Sequence, residues 1–299
     1  MNRNSPVIGV IGIGLLGTAI AERLLHGTAP VYGYDRDPER MENFVKLGGT
    51  PAQSTNDVAM KSQLVFLCLP NSDVVTNVIL DLQALRKQGQ QAAIRTVIDS
   101  TTGQPDEVIA NAEQLRELGI QYVEATVAGS SQQVSDGTAL IFLGGVDCLS
   151  SEERKILRKI APQQFELGAI GEATRFKLVH NLLLGLNRAV LAETLGFAEA
   201  LGFDARRTLS ILEQSPAASA VMQSKGQKMI KRDWSPQAKL TQHLKDVGII
   251  LSTASEAGAR TPFSVLHSVL LEQCVRAGLG DADNSAIREA FDRLTEDGD

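Results

Sequence analysis

Three glycines near the start of the chain constrain its fold more than any other feature. They lie in the run Gly12-Ile13-Gly14-Leu15-Leu16-Gly17, between an apolar strand pattern at 7–11 and a helical pattern at 15–26. In such a turn one glycine allows the tight bend, one lets a ligand approach the backbone, and one lets the helix pack closely on the strand. The amide groups at the helix start favour an anion. We therefore predict a binding site for the pyrophosphate of a dinucleotide.

The end of the next strand pattern supports a nucleotide site of this kind. Asp35 follows the strand pattern at 31–34, roughly 20 residues beyond the glycine turn, where an acidic side chain binds the ribose hydroxyls of NAD. Arg36 follows directly, and an arginine in this place holds the 2′-phosphate of NADP, which Asp35 would repel. The alternative for Arg36 is a solvated surface charge. The pair favours NAD over NADP and leaves both open.

Strand and helix patterns alternate through the first half of the chain. Continuous apolar runs such as 64–69 are typical of strands covered on both faces, and strand–helix alternation predicts a mostly parallel sheet. From residue 172 onward the pattern is helical, and no strong strand pattern follows 168. We predict an α/β protein with an N-terminal Rossmann doubly wound sheet in residues 1–167, followed by an all-helical C-terminal domain in residues 168–299.

Two further strand ends lie where ligands bind in doubly wound sheets, beyond the carboxyl ends of the strands. Leu69 and Pro70 end one strand pattern, and Thr102 follows another that ends at Asp99. We predict that these residues line the cofactor site together with the glycine turn, Asp35 and Arg36. For Pro70 the alternative is simple strand termination.

Three polar residues interrupt an apolar helical pattern near the middle of the chain. Lys177, His180 and Asn181 are spaced i, i+3 and i+4, which places them on one helix face. Polar groups on a buried face are costly unless they serve a polar partner, and desolvation favours the neutral form of a lysine amine. We interpret Lys177 as a candidate general acid/base and Asn181 as a candidate ligand for a hydroxyl or carboxylate. The alternative is an exposed stripe on an amphipathic helix.

The composition excludes several classes of partner. The net charge is −6 and aromatic residues make up 4%, so neither nucleic acid nor an anionic membrane is a predicted partner. The three cysteines are far apart and form no CxxC pair, which predicts no metal site and fits a reducing cytoplasm. The helical stretch 172–201 carries more apolar surface than one small domain covers, so we predict a homodimer or homotetramer.

Nearly the whole chain resembles the β-hydroxyacid dehydrogenases, which include 3-hydroxyisobutyrate dehydrogenase, tartronate semialdehyde reductase and, more distantly, 6-phosphogluconate dehydrogenase. The resemblance is carried by the glycine turn, by Lys177-Leu178-Val179-His180-Asn181 and by His243-Leu244-Lys245-Asp246. It implies that Lys177 is the general acid/base and that Asn181 orients it or binds substrate. It also implies that Lys245 lies near the nicotinamide of the cofactor.

The substrate loop departs from the family pattern, which usually reads Asp-Ala-Pro-Val-Ser-Gly-Gly. Here the segment is Glu124-Ala125-Thr126-Val127-Ala128-Gly129-Ser130-Ser131, and Ala128 replaces the serine that meets the substrate carboxylate. Gly129, Ser130 and Ser131 remain candidates for binding an anion through hydroxyl and backbone N–H groups, with His180 as a further substrate contact. The alternative is a neutral change in a loop that acts through its backbone.

These features together predict hydride transfer between a nicotinamide and a small 3-hydroxy acid or the matching semialdehyde. One alternative is an imine or keto reductase of the same superfamily, although such imine reductases often lack the lysine. The other alternative is a non-catalytic dinucleotide-binding module, which would need the glycines but neither Lys177 nor Asn181.

Overall fold

The computed structural model describes residues 6–26 and 30–293, and the chain divides into two compact units between Lys177 and Leu178. The described N-terminal unit contains a sheet with helices, and the described C-terminal unit is built from helices. This confirms the predicted α/β class. The predicted domain boundary between 167 and 168 precedes a helix that runs across the division of the units, and it stays a prediction.

The N-terminal unit is organised around one sheet. Its strands are β1 (Ile8–Ile11), β2 (Val31–Tyr34), β3 (Thr50–Pro51), β4 (Leu64–Leu67), β5 (Thr96–Asp99), β6 (Gln121–Ala128), β7 (Leu140–Gly144) and β8 (Gln163–Glu166). Their order is β3-β2-β1-β4-β5-β6-β7-β8, and every neighbouring pair is parallel except β6 and β7. Strands are added in one direction from β1 to β3 and in the other from β4 onward, so a crevice opens beyond the carboxyl ends of β1 and β4.

Helices of the N-terminal unit cover both faces of the sheet. They are α1 (Leu15–Leu25), α2 (Pro38–Lys46), α3 (Thr55–Lys61), α4 (Ser72–Lys87), α5 (Pro105–Glu117), α6 (Ser131–Ser135) and α7 (Ser151–Ile160). Side chains of β4 alternate between two cores: Leu64 and Phe66 pack in one, and Val65 and Leu67 in the other. All four are at most 1% exposed, which explains the continuous apolar run in the sequence.

The C-terminal unit packs its helices around its own apolar core. The helices are α8 (Glu172–Ala200, whose first six residues belong to the N-terminal unit), α9 (Ala205–Leu212), α10 (Gln227–Lys231), α11 (Leu240–Glu256), α12 (Pro262–Cys274) and α13 (Arg288–Arg293), with π-helical turns at Met222–Gly226 and Val275–Leu279. Leu191, Leu195 and Leu271 are central to this core. Asp283 is fully buried and pairs with Lys225 at 2.9 Å. None of the helices in the described ranges is long and apolar enough to span a bilayer.

Several predicted boundaries are wrong. The sequence pattern at 121–124 predicts a strand, and in the structure this strand continues to Ala128, because Ala125 to Ala128 pair with β7 in an antiparallel ladder. The small side chains of this extension give a weak strand pattern. The two-residue strand β3 has too little pattern to be predicted. The sequence also predicts a helix over about 236–257, but α11 begins at Leu240, because Lys239 forms an isolated bridge with Asp283.

Candidate active site

The three glycines of the turn differ in what surrounds them. Gly12 has a φ of +92°, and a Cβ there would lie 2.4 Å from the carbonyl oxygen of Cys68. A Cβ on Gly17 would lie 1.8 Å from the carbonyl oxygen of Gly12, so only glycine lets α1 start this close to β1. A Cβ on Gly14 would meet nothing closer than the Arg40 Nη1 atom at 3.7 Å. Gly12 and Gly17 therefore serve the fold, whereas Gly14 keeps its backbone accessible.

The start of α1 is suited to an anion. The first amide groups of any helix have no partner within it, and together they carry a partial positive charge. In the described part of the chain, α1 has no side-chain cap at Gly14 and no acidic residue in its first turn. The residues present, Ile13, Leu15 and Leu16 between the glycines, therefore fit the pyrophosphate of a dinucleotide.

Asp35 connects the end of β2 to the glycine turn. Its Oδ2 atom accepts a hydrogen bond from the backbone N–H of Ile13 at 2.7 Å, and its Oδ1 atom accepts one from Asp37 N–H at 3.0 Å. The Oδ2 atom also pairs with Arg40 at 3.3 Å. Arg36 is exposed. Sequence reasoning missed Arg40, which brings a second cation to this strand end.

The ends of β4 and β5 are tied together by hydrogen bonds. The backbone N–H of Leu69 donates to the Thr101 hydroxyl at 3.3 Å. Asp99 is buried and accepts hydrogen bonds from Thr101 N–H at 2.8 Å and from the Tyr122 hydroxyl at 2.7 Å. Burial raises the pKa of the Asp99 carboxyl. These bonds fix the loops that carry Pro70 and Thr102, both at the same edge of the sheet as the glycine turn.

The predicted substrate loop follows β6 and uses its first serine as a helix cap. Gly129 has a φ of +151°. The Ser130 hydroxyl accepts a hydrogen bond from Gln133 N–H at 3.3 Å, and Ser130 N–H donates to the Gln133 side chain at 2.9 Å. The amide of Ser130 thus donates within the loop, and its hydroxyl oxygen accepts there while its O–H group keeps a proton to donate. Ser131 is half-buried and is the first residue of α6.

Lys177 is a buried lysine in the N-terminal unit. Its side chain is 8% exposed, and its Nζ atom donates a hydrogen bond to the Val127 carbonyl oxygen at 2.6 Å. The reading of this position as part of an exposed stripe is therefore wrong. A buried amine beside the last residues of β6 is able to exchange a proton with a group bound there.

Asn181 lies in the C-terminal unit, one helical turn beyond Lys177 on α8. Its Nδ2 atom donates to the Asp246 carboxylate at 2.9 Å, and its Oδ1 atom lies 3.2 Å from His180 Nδ1. Asp246 also pairs with Lys245 at 3.1 Å. Sequence reasoning missed Asp246 as a site residue, although it stands in the quoted Lys245-Asp246 motif. Lys245 itself is partly exposed.

Gly185 makes room for two histidine rings. A Cβ at Gly185 would lie 2.4 Å from His243 Nε2 and 2.8 Å from His267 Cε1. The two ring centroids are 5.1 Å apart. Burial, with a smaller effect of the nearby Arg188 charge, lowers the pKa of His267 to about 4. His267 is therefore neutral at pH 7.

Within residues 6–26 and 30–293, no cluster of histidine, cysteine or acidic side chains has the arrangement of a metal site. Cys68, Cys148 and Cys274 are free thiols. The chemistry of the described residues is therefore that of a nucleotide turn, a buried lysine and a buried amide.

Known proteins resemble the chain over almost all of its length. Residues 7–170 match the family described as the NAD binding domain of 6-phosphogluconate dehydrogenase. Residues 171–291 match the family described as NAD-binding of NADP-dependent 3-hydroxyisobutyrate dehydrogenase. A solved structure of 3-hydroxyisobutyrate dehydrogenase from Salmonella typhimurium superposes with a TM-score of 0.85 at 21% identity, over 95% of this chain and 99% of that one.

Two curated relatives are enzymes. The 2-(hydroxymethyl)glutarate dehydrogenase of Eubacterium barkeri is 27% identical over 96% of this chain and 95% of its own length. The 2-hydroxy-3-oxopropionate reductase of Escherichia coli K12 is 25% identical over 96% of this chain and 97% of its own length. With the two family matches, these relatives show that the chain belongs to the β-hydroxyacid dehydrogenase family of the 6-phosphogluconate dehydrogenase superfamily.

Proposed function

We propose that this protein is an NAD(P)-dependent oxidoreductase that transfers a hydride between a nicotinamide and a small 3-hydroxy acid or the matching semialdehyde. The observation that carries the proposal is the buried Lys177 amine, held 2.6 Å from the Val127 carbonyl oxygen at the end of β6. Hydride transfer to or from an alcohol carbon requires a partner that moves the hydroxyl proton, and a positioned lysine supplies it.

The N-terminal unit binds the cofactor in this proposal. Gly14 and the first amide groups of α1 hold the pyrophosphate, and Asp35 accepts hydrogen bonds from the ribose hydroxyls. Leu69, Pro70 and Thr102 line the crevice beyond β4 and β5. We also assign Lys245 to the cofactor, because the family resemblance implies this contact. A bound nicotinamide supplies or accepts the hydride.

Lys177 moves the proton. During oxidation its neutral amine takes the proton from the substrate hydroxyl, and during reduction its ammonium group returns a proton to the carbonyl oxygen. Asn181 supports this step with an amide of fixed orientation. Because the Asp246 carboxylate only accepts hydrogen bonds, Nδ2 of Asn181 points to it, and Oδ1 is the acceptor that faces His180 Nδ1 at 3.2 Å.

The substrate class is a small carboxylic acid. The names of the two relatives describe acids that carry a hydroxyl or aldehyde group close to a carboxylate, and we extend that class to this chain. Ala128 offers no hydroxyl, and the Ser130 hydroxyl caps α6. We assign the carboxylate to the loop of Gly129, Ser130 and Ser131, because the Ser130 hydroxyl accepts from Gln133 N–H and keeps its own proton to donate. His180 is a further contact in this proposal.

For the cofactor we favour NAD over NADP. The Asp35 carboxylate, fixed by Ile13 N–H, would repel a 2′-phosphate, although Arg36 and Arg40 place two cations beside it. The three free thiols fit a reducing cytoplasm as the place of action.

We also propose that the protein forms a homodimer or homotetramer. Leu183, Val190 and Phe197 are seven residues apart on α8, and they are 62%, 58% and 66% exposed. Side chains at this spacing form one apolar stripe, which a second copy of the chain would cover. Sedimentation velocity of the wild type and of Leu183→Glu tests this: assembly that survives unchanged in the variant rejects the stripe as the interface.

Cofactor oxidation with a panel of substrates tests the central proposal. NADH and NADPH are each combined with small semialdehydes, 2-keto acids, 3-keto acids and a cyclic imine. We expect turnover with a semialdehyde and a loss of at least about 100-fold in Lys177→Ala, since a general acid/base contributes this much. Lys159→Ala, at an exposed lysine of α7, is the control and keeps wild-type turnover.

The same panel separates the alternatives. Reduction of the imine without any semialdehyde activity would identify an imine reductase. Cofactor binding with no turnover of any substrate, unchanged in Lys177→Ala, would identify a non-catalytic dinucleotide-binding module.

A further inference from the structure

A carboxylate from the sheet reaches the first turn of α8. Glu124 lies in β6 and is 1% exposed. One of its oxygens, Oε2, accepts a hydrogen bond from Gly171 N–H at 2.5 Å. The other, Oε1, accepts hydrogen bonds from Thr174 N–H at 3.0 Å and from the Thr174 hydroxyl at 2.5 Å. This buried side chain thus binds three donors at the start of the helix that carries Lys177.

The neighbouring strand is shaped to admit this carboxylate. Gly144 pairs with Glu124 across the β6–β7 ladder, and a Cβ there would lie 2.4 Å from Glu124 Oε2. The pKa of Glu124 is raised on balance, because burial and the nearby Asp99 outweigh the lowering effect of the hydrogen bonds from Thr174 and Gly171. A carboxylate is costly to bury without such donors. Gly144 on one side and the N-terminus of α8 on the other thus accommodate the Glu124 carboxylate.

The same strand contacts Lys177 three residues further along. Glu124 binds Thr174, and the Val127 carbonyl oxygen accepts the hydrogen bond of Lys177 Nζ at 2.6 Å. Residues three apart on a helix lie on one face, so Thr174 and Lys177 both face β6. The strand thus holds the first two turns of α8 at two points.

We propose that Glu124 is a positioning residue for proton transfer, because it fixes the depth and rotation of the α8 N-terminus and thereby the place of the Lys177 amine. This inference rests on the proposed role of Lys177 as the acid/base. A carboxylate is favoured at a helix N-terminus by the helix dipole. Without it, the first turn of α8 can shift relative to β6, and a displacement of about 1 Å at a reacting group can cost about 100-fold in rate.

Glu124→Gln tests the proposal, because the variant keeps the size of the side chain and removes its charge. The NH2 group of the new glutamine side chain is a hydrogen-bond donor, and it faces Gly171 or Thr174, whose groups are donors as well. We expect kcat to fall at least about 10-fold while KM and the NADH Kd stay within about twofold, as for an interaction that acts on the chemical step. We also expect a shift in the pH profile of kcat, in the limb that reports the protonation of Lys177.

A pair of substitutions at Thr174 repeats the test from the helix side. Thr174→Val removes the hydroxyl and is expected to lower kcat in the same way, while Thr174→Ser keeps the hydroxyl and is expected to restore it. These two variants test the positioning role of Glu124 if Glu124→Gln does not fold. Ser150→Ala is the control, because it removes the cap of α7 in the same unit and is expected to lower Tm without changing kcat.

The outcomes separate this inference from the proposed function. Wild-type kcat and pH profile in Glu124→Gln, with Lys177→Ala inactive, would overturn the positioning role and leave the function standing. Full activity in Lys177→Ala would instead overturn the proposed function. A fall in kcat in proportion to the loss of Tm, matched by Ser150→Ala, would reduce Glu124 to a structural role.

Discussion

The Asn181 side-chain amide donates to the Asp246 carboxylate at 2.9 Å, and both side chains are buried in the C-terminal unit. The bond joins α8 to α11 and determines which atom of Asn181 acts as the acceptor. We expect Asp246→Ala to lower kcat/KM about 10-fold or more and to cost about 1–3 kcal/mol of stability, since a buried donor loses its partner. Steady-state kinetics and urea unfolding measure the two effects.

The control for Asp246→Ala is another aspartate that pairs with a lysine in the same unit. Asp281 pairs with Lys239 at 2.6 Å and is 88% exposed. Exposed pairs contribute little, so Asp281→Ala is expected to behave as wild type. Equal kinetic losses in the two variants would argue against any special role of Asp246.

Two glycines of the turn are expected to respond differently to alanine. Gly17→Ala places a Cβ 1.8 Å from the Gly12 carbonyl oxygen, so it should destabilise the fold by about 1–3 kcal/mol or more. Gly14→Ala meets no atom closer than 3.7 Å, so the fold should change by about 1 kcal/mol or less. It should nevertheless raise the NADH Kd at least about 10-fold, because the backbone can no longer approach the pyrophosphate.

Thermal unfolding and fluorescence titration of NADH distinguish these two results. Gly248→Ala is the control, since no atom lies within 4 Å of a Cβ there and it lies within helix α11. This substitution should stabilise the protein by about 0.5–1 kcal/mol. Unchanged NADH affinity in a folded Gly14→Ala would contradict the assignment of the turn to the cofactor.

Cofactor preference is expected to depend on Asp35 more than on Arg36. Asp35→Ala removes the acceptor of Ile13 N–H as well as the predicted ribose contact, so the NAD Kd should rise about 10-fold. Arg36→Ala should leave NAD affinity within about twofold. If Asp35→Ala instead binds NAD normally and Arg36→Ala abolishes the use of NADPH, the preference is for NADP.

Stability is expected to fall as the solution is acidified through the range set by His267. The pKa of this ring is lowered from 6.5 to about 4 by burial and by Arg188. Between these values the unfolded chain binds a proton that the folded chain does not, so unfolding becomes easier as the pH falls from about 6.5 to about 4. The largest contribution is about 3 kcal/mol.

Urea unfolding at pH 7.5, 6.0 and 5.0 measures this dependence. In His267→Phe the fall across the same range should be smaller by the contribution of the one ring, because phenylalanine does not titrate. A variant whose stability falls as steeply as that of the wild type would assign the pH dependence to other groups.

Local sequence patterns account for the strands that match the prediction. The pattern at 31–34 coincides with β2, and the pattern that ends at Asp99 coincides with β5. The second half of β6 was missed, since it is held by its pairing with β7 rather than by its own small side chains. A pairing partner in another strand leaves no periodic signal in the strand itself.

In the candidate site, too, local features could be predicted from the sequence and long-range contacts could not. The glycine spacing is local, so the turn could be read from the sequence. Glu124 and Asp246 bind residues about 50 and 65 positions away, and no spacing rule connects such partners. The role of Ser130 as a cap was readable, because a serine followed three residues later by glutamine is a capping-box pattern, and it was overlooked.

The different surroundings of the three glycines bear on how this turn would change over generations. Contacts within the protein require glycine at Gly12 and Gly17, whereas no such contact requires it at Gly14, which we have proposed to lie against the cofactor. A descendant released from cofactor binding could therefore exchange Gly14 for a larger residue and still fold. Gly12 and Gly17 would persist in it. A turn that keeps these two glycines but has another residue in place of Gly14 would therefore mark a lineage that no longer binds the cofactor.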